Sequence, residues 1–103
     1  MWPQNPPGLV QMTSGGYERI YLPGHPVADA SGHVRVHRAV LYAKLGPGEH
    51  ACHWCGQLLQ WDASGPLPRI ETDHLNWFPA DNRPDNVVAS CTPCNRKRKN
   101  PYR

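Results

Sequence analysis

The chain is 103 residues long, 39% hydrophobic and 18% charged, with 12 Pro, 9 Gly and 4 Cys. That length accommodates one domain, and a Pro plus Gly share of about a fifth disfavours long bundles, coiled coils and doubly wound sheets. The formal charge of +3 is uneven: residues 96–103 hold five basic side chains and no acidic one, while the other 95 residues hold six basic and eight acidic.

No segment approaches the roughly 18 consecutive apolar residues of a membrane span. The start of the chain (Met1, Trp2, Pro3, Gln4) lacks a basic region followed by an apolar one, so no secretory signal is expected. The expectation is therefore a soluble, cytoplasmic protein. Thiols stay reduced in that compartment, which makes the cysteines metal ligands rather than disulfide partners. A small loop-rich domain also buries too little surface to be stable without a staple.

Residues 1–16 are rich in Pro, Gly, Gln and Ser without periodicity and read as a flexible leader. Residues 17–50 form a strand–helix extension. Tyr17, Arg19 and Tyr21 alternate with Glu18, Ile20 and Leu22, the period of a strand. Residues 34–45 place Val36, Val40, Leu41 and Leu45 at helical spacing, ended by Gly46-Pro47-Gly48. Residues 51–103 form the core. A tight loop at Cys52 to Gly56 precedes an apolar strand containing Leu58, Leu59 and Trp61, and residues 69–75 form a second strand. A polar loop over residues 76–85 leads to the apolar run Val87 to Ala89. Thr92 as N-cap and Pro93 at the first helical position then open a basic helix over residues 93–99.

The cysteines fall as Cys52-x2-Cys55, 35 intervening residues, and Cys91-x2-Cys94. Two such pairs suit one tetrahedral zinc, whose closed coordination makes it structural rather than catalytic. A redox dithiol would account for one pair but not for two. His53, inside the first knuckle, is the alternative ligand. Trp54, Trp61 and Trp77 read as packing residues, as do His25, His33, His37 and His50 (or as surface groups). His37-Arg38 is a candidate DNA contact.

Between the cysteine pairs lie Asp73-His74 and the loop Asp81-Asn82-Arg83-Pro84-Asp85-Asn86-Val87, and Asn95 directly follows Cys94. In this order and spacing, residues 52–99 resemble the HNH endonucleases, the ββα-metal nucleases, in their zinc-stapled form. The segment from Tyr17 to Leu45 more loosely resembles the leader found in phage-type members. The resemblance implies an α+β fold of short strands and helices around a four-cysteine structural zinc (Cys52, Cys55, Cys91 and Cys94). It also implies metal-dependent hydrolysis of DNA phosphodiesters. His74 would be the general base, because imidazole exchanges protons near neutral pH. Asp73 and Asn95 would hold one Mg²⁺ or Mn²⁺, leaving positions for water and phosphate oxygens. Asn86 would tie the loop that aims His74. Asn95 stands where the motif more often has histidine.

Arg83, Arg96, Lys97, Arg98 and Lys99 are the candidate DNA-backbone contacts beside that site. Two further readings follow from the same residues. One is a catalytically silent, zinc-stapled DNA-binding module. The other is an accessory to phage packaging proteins. Retention of Asp73, His74 and Asn95 together favours the nuclease, since a pure binder has no need of an imidazole beside a carboxylate.

Overall fold

In the computed structural model, which describes residues 10–12 and 17–98, the chain first builds a three-stranded antiparallel sheet. Its strands are β1 (Val10–Met12), β2 (Glu18–Tyr21) and β3 (His33–Arg35), in that order. Composition places Val10 to Met12 in a flexible leader, yet their backbone pairs with β2 in the register Val10↔Ile20. The rest of that leader, and Lys99, lie outside the described residues.

Helix α1 (Val36–Leu45) follows β3 directly. It starts two residues later than the apolar spacing predicts, because residues 33–35 pair with β2 as Tyr21↔His33, Ile20↔Val34 and Arg19↔Arg35. Val34 is buried in that strand, where a β-branched side chain packs well. The helix ends at Gly46, whose φ of 83° is the left-handed conformation that glycine tolerates, and its N–H bonds Tyr42 O at 2.8 Å. Lys44, in the last turn, donates to the carbonyls of Pro84 and Val87, both at 2.8 Å. That contact fastens the helix to the second half of the chain.

The remaining strands are short. β4 (His50–Ala51) pairs with β5 (Leu58–Leu59), and β6 (Glu71–His74) pairs with β7 (Val87–Ser90), both antiparallel. Strand β5 stops before Trp61, which turns back to pack on the core and donates its Nε1–H to Gly46 O at 3.0 Å. The polar loop ends in one 3-10 turn (Pro84–Asn86), and helix α2 (Thr92–Lys97) closes the described chain. The fold is thus α+β, with seven short strands and two short helices among the described residues.

Two predicted details of α2 change. Cys91 rather than Thr92 is the N-cap, and no side chain caps the helix. Thr92 is instead the first helical residue, and its hydroxyl donates to the Glu71 carboxylate on β6.

The core is small: Leu41, Leu59, Ile70, Val87 and Ala89 cluster with the sulfur-bearing Cys52 and Cys91. Arg38 is buried in the same layer, 7% exposed. Its guanidinium donates to the carbonyl of Ile70 and, at 2.7 Å, to that of Trp61, and it lies 5.2 Å from the Trp61 ring centroid. This corrects its reading as a DNA contact: Arg38 clamps α1 to the chain segments before and after residues 62–69. Arg38→Met would keep the side-chain stem but leave two carbonyls without their donor. Urea unfolding is expected to show a loss of about 2–4 kcal/mol. A change under about 0.5 kcal/mol, the level of an ordinary surface substitution, would mean that the clamp contributes nothing.

Candidate functional site

The first knuckle begins where β4 ends. Cys52 N–H bonds Gln57 O at 2.7 Å and Gly56 N–H bonds Cys52 O at 2.9 Å. Gly56 takes φ 79°, which allows this tight return of the backbone. His53 N–H bonds Ala89 O at 2.8 Å, tying the knuckle to β7. The second pair lies at the start of α2, where Asn95 N–H bonds Cys91 O at 3.0 Å.

These two anchors bring the Sγ atoms of Cys52, Cys55, Cys91 and Cys94 within 4.8 Å of one another. Cys91 Sγ lies 3.9 Å from Cys52 Sγ and 3.8 Å from Cys55 Sγ. Disulfide sulfurs sit at about 2.05 Å, and all four thiols are free. A tetrahedral ion with sulfur at about 2.3 Å places its ligands about 3.8 Å apart, so the cluster has the size that such an ion requires. Cys91 N–H also points at Cys52 Sγ at 3.4 Å.

The charges agree with that geometry. Burial raises the Cys52 thiol, but the backbone amides of Cys55, Cys91 and Trp54 outweigh it and bring it down to about 6. Cys94 is pushed up to about 12, by its hydrogen bond with Cys91 first and then by burial and the other sulfurs. One thiolate forms readily while Cys94 resists, which is what crowded sulfurs do until a cation joins them. The four cysteines could therefore hold a metal ion such as zinc. His53 is exposed, packs edge-on against Trp54 at 4.7 Å between ring centroids, and stays outside the cluster.

A second site lies where β6 faces the start of α2. A cavity of about 140 Å³ is lined by Asp73, His74 and Asn95 together with Thr72, Tyr17 and Trp77. The strand supplies two of the three expected groups and the helix the third. Asp73 and His74 are buried, 5% and 8% exposed. Both contacts of the Asp73 carboxylate fall on Oδ2: Trp54 Nε1 at 2.9 Å and Arg98 Nε at 2.6 Å. Oδ1 remains as the oxygen that could meet a cation. Asn95 donates its Nδ2 to Glu71 Oε1 at 2.9 Å, which fixes the amide and leaves its carbonyl oxygen as an acceptor. Thr72 Oγ1 is buried without a hydrogen-bond partner among the described residues.

His74 Nε2 lies 2.8 Å from Asn82 Oδ1, and Asn82 Nδ2 donates to Glu18 Oε1 at 3.1 Å. With the amide so oriented, Nε2 carries the proton and Nδ1 keeps its lone pair. Asn86, expected to tie the loop that aims His74, makes its side-chain hydrogen bonds within that loop. Its side chain bonds Asn76 N, Asn76 Oδ1 and Asp81 O, at 3.2, 2.9 and 2.8 Å, and its backbone carbonyl accepts from Leu75 N at 2.8 Å. Asn86 therefore closes the loop over residues 76–82 that carries Asn82. The contact itself belongs to Asn82, a residue inside the motif loop to which sequence reasoning assigns no role.

The basic residues separate into two groups. Arg98 faces inward, its guanidinium between the rings of Trp54 and Trp77 at 4.4 and 4.7 Å from their centroids. It also donates to the carbonyls of His74 and Leu75, both at 3.2 Å. Trp77 reaches this stack from a left-handed backbone, φ 64°, which costs a residue with a Cβ roughly 1–2 kcal/mol. Arg96 and Lys97 are exposed. Arg83 is exposed too, but grips Asp81 with Nε and Nη2 at 2.8 and 3.0 Å. That pairing holds the Asp81 carboxyl down to about 2.

His37, by sequence a packing or surface residue and a candidate DNA contact, has His74 as its neighbour. The two rings meet edge-on at 5.4 Å, and the Tyr17 ring also meets His37 edge-on, at 5.6 Å. Burial, then the charges of His74, Arg35 and Arg38, pushes His37 down from 6.5 to about 4. The unfolded chain thus takes up a proton as pH falls below about 6.5 while the folded one stays neutral until about 4. Stability contributed by the neutral ring is present above that window and lost on going down through it, by about 3 kcal/mol at most. Denaturant titrations of wild type and His37→Phe between pH 7 and pH 4 are expected to show a shallower pH slope in the variant, and parallel slopes would refute the linkage.

The chain matches no family model, no curated protein and no solved structure.

Proposed function

We propose that this chain is a metal-dependent DNA endonuclease of HNH type, with a structural zinc held by Cys52, Cys55, Cys91 and Cys94. The observation that carries the reading is the one cavity lined by Asp73, His74 and Asn95 together, with His74 Nε2 fixed on Asn82. The order of β6, β7 and α2 supports it, since strand, strand and helix deliver these residues in the sequence that the ββα-metal resemblance requires.

Each group then has one task. His74 Nδ1 takes a proton from water, whose oxygen attacks phosphorus on the face opposite the leaving oxygen. The P–O bond breaks, and the leaving alkoxide gains a proton from solvent. Asp73 and Asn95 offer two oxygen donors, a set suited to Mg²⁺ or Mn²⁺, which would supply charge stabilisation at the phosphate and the leaving oxygen. Trp54 and Arg98 hold the Asp73 carboxylate, and Glu71 holds the Asn95 amide. The geometry is kept by neighbours rather than by the reacting groups themselves.

The Arg98–Asp73 ion pair also favours a second reading. An arginine on the carboxylate supplies positive charge where the cation would act, as a catalytically silent DNA-binding or packaging-accessory module would retain it. Incubation with supercoiled plasmid separates the two. The nuclease is expected to relax or linearise plasmid only with Mg²⁺ or Mn²⁺, to stop on chelation, to recover on re-addition, and to be inactive as His74→Ala. Tight metal-independent binding with no nicking would leave the silent module.

A further inference from the structure

We infer that the groove running from the β2–β3 hairpin to the candidate cavity is a track for the phosphodiester backbone of a nucleic-acid strand, gripped by Arg19, Arg35 and Arg69. The six basic residues of the first 95 are spread along the sequence without a pattern, but folding gathers four of them, these three and Arg38, on one side.

The gathering has a simple cause. The β2–β3 register puts Arg19 directly opposite Arg35, and a bridge between Gln60 and Arg69 carries Arg69 alongside. Like charges directly opposite on paired strands oppose sheet formation, and the two guanidinium groups together raise the positive potential along this edge. A cavity of about 290 Å³ is lined by Arg19, Arg35, Arg38 and Arg69. The next, of about 360 Å³, shares Arg35, Arg38 and Arg69 with it and adds Tyr17 and Thr72. Tyr17 and Thr72 also line the cavity of Asp73, His74 and Asn95. The three spaces thus follow one another, each sharing lining residues with the next.

Three carboxylates line these spaces, Asp29, Glu71 and Asp73, the last bonded by Trp54 and Arg98. Asp29 accepts from the backbone amides of Ser31 and His33 and from the Ser31 hydroxyl. Glu71 holds Thr92 and Asn95. Arg38 is clamped to carbonyls and adds field rather than contact. Burial and then the charge of Arg69 push it down to about 10, so the positive potential of the groove reaches into the core. A repeating polyanion suits a groove with several arginines along it better than a single phosphate does. Its continuity with the candidate cutting site favours nucleic acid over an acidic peptide. The direction assigned to the strand, toward His74, rests on the nuclease reading; the binding does not.

The test compares wild type with Arg19→Gln/Arg35→Gln/Arg69→Gln. Each is titrated into a short fluorescein-labelled duplex, and into its single strand, across a salt series without added magnesium or manganese. Loss of three phosphate contacts is expected to flatten the slope of log Kd against log salt by about 2 to 3 and to weaken binding roughly 100-fold at low salt. A variant that keeps the wild-type circular dichroism, slope and affinity overturns the inference. So does a poly-glutamate competitor that displaces the duplex as well as unlabelled DNA does. Should the triple variant misfold, Arg69→Glu, at an exposed position, is expected to flatten the slope by at least about 1, and an unchanged slope overturns the proposal. Plasmid cleavage is scored separately. Arginine-dependent binding without any cleavage upholds the groove and removes the nuclease, whereas His74-dependent cleavage with arginine-independent binding does the reverse.

Discussion

Removing the ion from Cys52, Cys55, Cys91 and Cys94 is expected to unfold the chain rather than merely soften it. The apolar cluster around those sulfurs is small, and two of its buried members, Cys52 and Cys91, are themselves candidate ligands. Structural zinc in small domains contributes about 10–16 kcal/mol of folding free energy at neutral pH. A domain of this size has only about 5–15 kcal/mol in total, so the sign of folding depends on the ion. Without it, the hydrogen bond with Cys91, burial and the neighbouring sulfurs hold the Cys94 thiol protonated, and the four sulfurs have no common partner. Circular dichroism melts with and without a strong chelator, together with metal analysis of the purified protein, check this. The sigmoidal melt should vanish on chelation and return with stoichiometric Zn²⁺. Cys91→Ser, in the core, should be at least as damaging as Cys55→Ser on the exposed rim. Protein that carries no metal and melts unchanged in chelator would remove the staple.

The second large effect concerns catalysis. His74→Ala is expected to reduce plasmid cleavage by about 10²–10⁴-fold, the usual contribution of a positioned general base. The fold should survive, because the strand around it is held by backbone pairing with β7. Asn82→Ala should cost less, about tenfold to a hundredfold, since the imidazole remains but loses the acceptor that sets its tautomer. The two variants should also differ in kind. Asn82→Ala should alter the pH profile of cleavage, whereas His74→Ala should flatten it. An Asn82→Ala enzyme with wild-type rate and profile would show that the 2.8 Å contact has no bearing on the base. Equal cleavage by His74→Ala would take the imidazole out of the reaction.

Much of the site was legible because its signals are local. Two Cys-x2-Cys pairs announce a four-sulfur cluster through spacing alone, and the sulfurs do converge. Asp73, His74 and Asn95 line one cavity, and the strand and helix that deliver them are elements local pattern can place. What the sequence hides is tertiary. Spacing misplaces the start of α1 because an apolar residue at Val34 fits strand and helix alike, and the partner that decides it is β2, fourteen residues upstream of Val34 at Ile20. Thr92 looks like a cap because the carboxylate to which its hydroxyl donates, Glu71, is distant in sequence. Arg38 looks like a surface base because nothing nearby announces that its acceptors are the carbonyls of Trp61 and Ile70. The C-terminal charge cluster dominates the sequence because it is contiguous, whereas the arginines around the groove become neighbours only through the β2–β3 register and the Gln60–Arg69 bridge. The chain has no helix long and apolar enough to cross a membrane among its described residues.

Trp54 belongs to the first cysteine knuckle, yet its indole N–H is bonded to Asp73 and its ring carries Arg98. The cysteine knuckle and the Asp73 carboxylate are thereby joined through one side chain. On the proposed reading, an ion at the cysteines that fixes Trp54 would alter the readiness of Asp73 to release Arg98 and accept a cation. By reciprocity, a cation at Asp73 would then change the affinity of the cysteines for their own ion by the same factor. If both proposed ions bind, their occupancies are coupled through this one side chain, and the availability of one would alter the grip on the other.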